Sequence, residues 1–273
     1  MKTALALLSL ALAVLAAPSG LAQEAERSLE NVAGDVWQFT NNSHQSAVVV
    51  ADEGVVVTDP IDADAAEWLK AEIAEQFGRP ITHLIYSHSH ADHASGGEAF
   101  GDLTAIAHAD APDAIDGVEV DRRIEEPTTI EVGGKTLELV PLVPGHGTDM
   151  LVMVVRPENV AFVVDVVSPG RVPYRDLSGV DIDGLAEQIG AVEALDFDIL
   201  LAGHSRLGDK SDVAEAREYL DWLRKEVDAG LEAGRSVDEI KASIDWGPYA
   251  DLAMVEQWGP MNVEGMARWL RRN

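Results

Sequence analysis

The chain has 273 residues, 47% of them hydrophobic and 25% charged, with 48 acidic against 20 basic side chains. That is enough apolar material for one sizeable core, and a formal net charge of −28 sets the surface against nucleic acid and anionic lipid. Cysteine is absent, which excludes disulfides, an oxidisable metal ligand and a lipid-anchored mature N-terminus.

The first residues read as a cleavable export signal, residues 1–22: Lys2, an apolar run over Ala4–Ala17, then Gly20-Leu21-Ala22 before a cut at Gln23. The competing reading, a membrane anchor, meets a run shorter than the roughly 20 residues a span requires. No twin arginine precedes the run, so the expectation is general secretion of an unfolded chain to the periplasm or beyond, with metal acquired afterwards and no membrane anchor after cleavage. Loss of Lys2 with the signal leaves a mature charge of −29.

Val36–Thr40, Ser46–Val50 and Val55–Thr58 have strand character, with Asp52-Glu53-Gly54 as the turn between the last two. Ala63–Phe77 has helical periodicity and meets a stop at Gly78-Arg79-Pro80; Thr82–Tyr86 follows as a buried strand. Thr104–Ala107, Leu151–Val155, Val160–Val164 and Asp198–Ala202 are further strands, residues 131–135 a tight turn between strands, and Ile182–Leu195 a helix. The remainder is helical: Asp212–Gly230, Ser236–Ile244 and a last helix from about Asn262 to Leu270. Mixed strands and helices without internal repeats predict one layered α/β domain over residues 23–208, with a helical extension, residues 209–273, packed on it.

Directly after the strand ending at Tyr86 stands Ser87-His88-Ser89-His90-Ala91-Asp92-His93, four potential ligands within six residues. Imidazole nitrogen and carboxylate oxygen suit zinc at neutral pH. His88 and His90, two apart, face the same way from an extended segment, while Asp92 and His93 diverge towards a second position.

This stretch resembles the His-x-His-x-Asp-His signature of the metallo-β-lactamase superfamily, and four other segments extend the match. Gly54–Pro60 resembles an upstream strand ending in an aspartate, Pro144–Asp149 the third-histidine loop, Val163-Val164-Asp165 the strand-end aspartate, and Ala202–Ser205 the final histidine. The resemblance implies an αββα sandwich with a helical C-terminal tail. It also implies two Zn2+ per chain, with iron or manganese as alternatives: one ion on His88, His90 and His146, the other on Asp92, His93 and His204, with Asp165 bridging. Asp59 would orient a ligand histidine through its free ring N–H, or is simply a turn-forming Asp-Pro. Asp92 and Asp165 are the catalytic candidates, because a hydroxide shared by two zinc ions exists near pH 7 and attacks a polarised carbonyl.

The other histidines read differently: His83 and His108 as core residues, and His44 as a substrate contact on a loop at the site mouth. Six tryptophans, four of them in the helical tail, read as packing residues. Arg171, Tyr174 and Arg175, just after Asp165, are candidate substrate contacts in an otherwise acidic chain, against the alternative of an ordinary surface loop. Superfamily β-lactamases usually carry cysteine or serine near position 165, so the aspartate there favours a hydrolase of small, uncharged or weakly charged carbonyl compounds: lactone, ester, thioester or β-lactam. A dedicated β-lactamase, a non-haem iron redox protein of the same fold and a non-catalytic zinc binder are the alternatives. The expected partner is a small-molecule substrate, with no nucleic acid; the oligomeric state is left open.

Overall fold

The computed structural model describes residues 25–272, so the expected signal segment lies outside the described residues. Fourteen strands and six α-helices are laid out in chain order. They are β1 (Arg27–Ala33), β2 (Val36–Asn41), β3 (His44–Ala51), β4 (Gly54–Thr58), α1 (Ala63–Phe77), β5 (Ile81–Ile85), α2 (Ala91–Ala94) and β6 (Thr104–His108). Then come β7 (Ala114–Ile115), β8 (Val118–Glu119), β9 (Arg122–Ile124), β10 (Thr128–Val132), β11 (Lys135–Pro141), β12 (Leu151–Arg156) and β13 (Val160–Val163). The chain closes with α3 (Ile182–Ala194), β14 (Ile199–Ala202), α4 (Lys210–Glu232), α5 (Val237–Ser243) and α6 (Val255–Leu270).

Two sheets result, seven-stranded in the order β1-β2-β3-β4-β5-β6-β9 and five-stranded in the order β10-β11-β12-β13-β14, with β7 and β8 a separate small hairpin. The alternation of valines explains the layers. In β3 and β4, Val49 and Val56 point into the space between the sheets, where they meet Leu137, Met153 and Phe162. Val48, Val55 and Val57 point the opposite way, onto Ala65, Leu69 and Ile73 of α1. The outer face of the second sheet, including Val152, Val154, Ala161 and Leu200, is covered by Ile189 of α3, Leu223 of α4 and Met266 of α6. This is an αββα sandwich, as the resemblance implied, and each large aliphatic side chain buried in it contributes about 1.5–3 kcal/mol.

Boundaries agree where local chemistry is strong. Helix α1 spans the predicted residues, because Asp62 caps its first turn by accepting from the Ala65 N–H and Gly78 ends it at φ 61°. Helix α6 begins seven residues earlier than expected, at Val255, and carries Pro260 inside it. Gly259-Pro260 is a helix-breaking pair by local propensity, but Val263, Met266 and Ala267 fix the helix against the second sheet, and packing overrides propensity. Strand β1, a half-exposed edge with mostly polar residues, and the short β7, β8 and β9 were not expected. His108 is buried as expected, whereas His83 is only half-buried and bonds to Thr82 Oγ1 at 2.9 Å, so it is not a core residue. Among the described residues no helix is long and apolar enough to cross a membrane.

Candidate metal centre

The site is assembled at one end of the sandwich by residues that follow strand ends. Asp59 follows β4, His88 and His90 follow β5, Asp92 and His93 lie on α2, Asp165 comes after β13 and His204 after β14. His146 stands on the loop between β11 and β12, and His44 opens β3. The two sheets are joined here by a hydrogen bond from the Gln45 N–H to the Gly203 carbonyl, 2.8 Å. Gly203 is required by crowding, since a Cβ there would stand 2.7 Å from Val164 and 3.0 Å from His93. Asp165 itself adopts φ 61°, an uncommon backbone for a residue other than glycine.

Two ligand sets meet on Asp165. His88, His90, His146 and Asp165 form one four-residue group, and His93, His204 and Asp165 a second. The Asp165 Oδ2 lies 3.2 Å from His146 Nε2, 3.7 Å from His88 Nε2 and 3.6 Å from His93 Nε2, while its Oδ1 lies 3.3 Å from His204 Nε2. Atoms bound to one zinc at about 2.0–2.1 Å in a tetrahedron are separated by about 3.3 Å, so this spacing matches a shared coordination sphere. Asp92 Oδ2 is 3.9 Å from both His93 Nε2 and His204 Nε2, joining the second set at a longer distance. A third group joins Asp92 and His204 to a residue read from sequence only as a substrate contact: His44 Nε2 lies 3.6 Å from Asp92 Oδ2, and its ring stands 4.5 Å from that of His204.

The surrounding hydrogen bonds aim the histidines. Asp59, fully buried, accepts from the Ser87 N–H at 2.8 Å and from the Ser87 hydroxyl at 2.6 Å. With its proton committed to Asp59, the Ser87 oxygen accepts from His88 Nδ1 at 2.9 Å, which fixes the tautomer that leaves Nε2 as a lone pair. That Nε2 is buried and has no hydrogen-bond partner in the protein, as expected of a ligand atom. His204 is set the same way, its Nδ1 donating to the Ser43 carbonyl at 3.1 Å. Asp59 also lies 3.6 Å from His93 Nδ1. Asp59 thus reaches the His88 ring through the hydroxyl of Ser87, and Ser87 is the residue that sequence reading passed over.

Protonation suits metal binding as well. Burial holds His88 well below the usual imidazole range, pushes His93 down to about 4 and lowers His204. All three are neutral at pH 7, as ligands must be. Burial alone would raise Asp165, but the His146 contact and the neighbouring imidazoles outweigh it, and the carboxyl sits well below its ordinary range. Asp92 is likewise depressed, chiefly by its contact with His44. Asp59 differs: burial pushes it up to about 7 against the Ser87 donors.

His146 is placed by α3. Gln188, fully buried, accepts from the His146 N–H at 2.9 Å and donates to the Val143 carbonyl at 2.7 Å, and Gly184 approaches so closely that a Cβ would stand 1.9 Å from the Pro144 oxygen. Both were missed; the available signal was a glutamine on the apolar face carrying Leu185, Ile189 and Val192.

A cavity of about 860 Å³ opens onto the cluster and includes His44, Asp92, Asp165, Arg171, Tyr174 and Arg175, so all the sequence candidates for substrate contact line it. Its far wall comes from the helical tail, with Tyr219 and Leu220 of α4 and Trp258 of α6. Trp258 is therefore a cavity residue rather than packing alone; it meets Tyr174 edge-on at 4.9 Å.

The metallo-beta-lactamase superfamily model matches residues 40–204, more than half of the chain. Solved structures similar to the fold include a metallo-beta-lactamase from Pontibacter korlensis, TM-score 0.64 and 19% identity, covering 72% of this chain and 99% of that one. Another, from Hirschia baltica, has TM-score 0.62 and 17% identity over 71% of this chain and 97% of that one. In sequence, 249 residues are 23% identical to the 2,4-dinitroanisole O-demethylase subunit alpha of Nocardioides sp. (strain JS1661), covering 85% of this chain and 71% of that one. With the fold, the motif order and the His/Asp metal-binding cluster all in agreement, the chain belongs to the metallo-β-lactamase superfamily.

Proposed function

We propose that the protein is a dinuclear, zinc-dependent hydrolase of small carbonyl substrates, such as a lactone, ester, thioester or β-lactam. The observation that carries this reading is the meeting of two ligand sets on the carboxylate of Asp165. His88, His90, His146 and Asp165 would hold one ion; His93, His204, Asp92 and Asp165 the other. A metal pair supplies Lewis-acid polarisation and a water acidic enough to act near pH 7. The chain's own residues do the rest. Asp92, whose side chain is 57% exposed, faces the cavity beside His44, ionised and able to orient a water or take its proton. The apolar wall of Leu185, Ile189 and Leu220 excludes bulk water from one side of the substrate.

Zinc is favoured over iron or manganese because six imidazoles gather around the cluster with two carboxylates. A purely structural zinc site is closed and four-coordinate, whereas this cluster opens onto the cavity. Export through the signal read over residues 1–22 completes the proposal.

A second reading is favoured by the aromatic edge of the cavity, Tyr174, Tyr219 and Trp258, together with the O-demethylase relative: cleavage of an aryl methyl ether. A panel of chromogenic lactones, thioesters and β-lactams, with 2,4-dinitroanisole added, separates the two. Chelator-sensitive hydrolysis of a carbonyl substrate supports the first reading. Turnover of the ether alone supports the second, and no turnover of any member by zinc-loaded protein contradicts both.

A further inference from the structure

His44 opens β3 opposite Asn41 of β2, and the turn between them is anchored on both sides. Asn42 takes the left-handed conformation at φ 55°, while Asn41, buried, accepts from Arg27 Nε at 2.8 Å and donates to Asp62 Oδ2 at 3.1 Å. Both chain neighbours of His44 are then bonded to the segment that carries His204. The Ser43 carbonyl accepts from His204 Nδ1 at 3.1 Å, and the Gln45 N–H donates to the Gly203 carbonyl at 2.8 Å. Two bonds that bracket one residue fix its side chain beside a ligand histidine, and the same Ser43 contact leaves His204 Nε2 as the lone pair on that side.

The ring of His44 stands as the ligand rings of this cluster stand. It is 4.5 Å from the ring of His204 at an interplanar angle of 67°. The corresponding values are 4.5 Å and 74° for His88 and His90, and 4.6 Å and 75° for His93 and His204, pairs that each belong to one ligand set. His44 Nε2 lies 3.6 Å from Asp92 Oδ2, the spacing of His93 Nε2 from Asp165 Oδ2. That is longer than the about 2.7–3.2 Å of a direct N–H···O bond. Asp92 Oδ2 therefore has three imidazole nitrogens at 3.6–3.9 Å, those of His44, His93 and His204, much as Asp165 Oδ2 has those of His88, His93 and His146 at 3.2–3.7 Å. The ligand atoms of His44, Asp92 and His204 all lie within 4.8 Å of one another, close enough for one ion.

We propose that His44 is a further ligand of the second ion, beside Asp92, His93, His204 and Asp165. The inference rests on the two-ion reading of this cluster. With His44 counted, each ion is held by three imidazoles, and the second set, whose Asp92 side chain is 57% exposed, gains a nitrogen donor on the cavity side. A histidine that only orients Asp92 by hydrogen bonding makes no bond to the metal, and that difference is measurable.

The test is proton–cadmium correlation NMR on protein loaded with a spin-half cadmium isotope, in the wild type and in His44→Gln, which keeps a side chain able to hydrogen-bond to Asp92. Scalar coupling between cadmium and a ring proton passes only through a coordinate bond. Two cadmium resonances are expected, each coupled to three histidines, and His44→Gln should remove one histidine from one resonance and leave the other resonance complete. Zinc competition against a chelating dye should show one of the two equivalents loosened at least about tenfold in His44→Gln. Should the variant fail to fold, the wild-type count of histidines on the second resonance decides. Two histidines on that resonance, or a His44→Gln spectrum that keeps every correlation of the wild type, overturns the ligand and leaves the two-ion reading standing. A single cadmium resonance overturns both. Two resonances with three histidines each, in a protein that turns over no carbonyl substrate, keep the ligand and remove the hydrolase.

Discussion

Replacing Ser87 with alanine tests how the metal site is aimed. The hydroxyl donates to Asp59 at 2.6 Å and accepts from His88 Nδ1 at 2.9 Å, all three groups being buried. The substitution removes a hydrogen bond to a carboxylate, worth about 1.5–3 kcal/mol, and leaves the His88 N–H without an acceptor at a further cost of about 1–3 kcal/mol. Asp59 keeps the Ser87 backbone N–H at 2.8 Å, so the loss is partial, and about 2 kcal/mol of net destabilisation is the conservative expectation. In a chain of this size that lowers the thermal midpoint by about 4–8 °C. The lost orientation of His88 weakens metal binding by about 10- to 100-fold. Competition against a chelating dye, alongside calorimetry of the metal-free protein, reads both quantities. A Ser87→Ala variant that binds zinc within about threefold of wild type and melts within a degree of it would refute the relay from Asp59 to His88.

Other consequences follow from the same packing. Gln188→Leu removes the acceptor of the His146 N–H and the donor to Val143, and should cost about 2–4 kcal/mol with weaker metal retention; unchanged retention in the dye competition would show that α3 does not set His146. Gly265→Ala places a Cβ 2.0 Å from the Asp176 carbonyl oxygen, so overpacking of about 1–3 kcal/mol outweighs the roughly 1 kcal/mol that alanine gains in a helix; a higher midpoint than wild type in a thermal melt contradicts this. Asp92→Asn keeps a side chain of the same size but removes the ionised oxygen beside His44, and should lower kcat by about 100-fold or more on whichever substrate of the panel is turned over. An unaltered kcat would remove Asp92 from the chemistry.

What was legible in the sequence divides along physical lines. The cluster from His88 to His93 is legible because four ligand side chains in six residues have few structural explanations, and α1 because a capping aspartate and a left-handed glycine mark its ends. Strand β1 was hidden because an edge strand needs no apolar face, and the start of α6 because a local breaker was overruled by distant contacts. The residues that hold the ligands and the cavity wall in place were the least legible. Ser87, Gln188 and Asn262 act across 28, 42 and 43 positions of chain, to Asp59, His146 and Tyr219, and no local pattern reports such distances. Their one trace is a polar side chain on an apolar helix face, visible at Gln188 and Asn262. His44 shows the same limit, since its proximity to Asp92 depends on how β3 and α2 meet at the end of the sandwich.

The central claim is that Asp165 joins two metal positions, and the most direct test is metal stoichiometry by mass spectrometry on purified, zinc-reconstituted protein and on the His146→Ala and His204→Ala variants. The account predicts two equivalents per chain in the wild type and about one in each variant, because each histidine belongs to a different set. A wild type that saturates at one equivalent would contradict it.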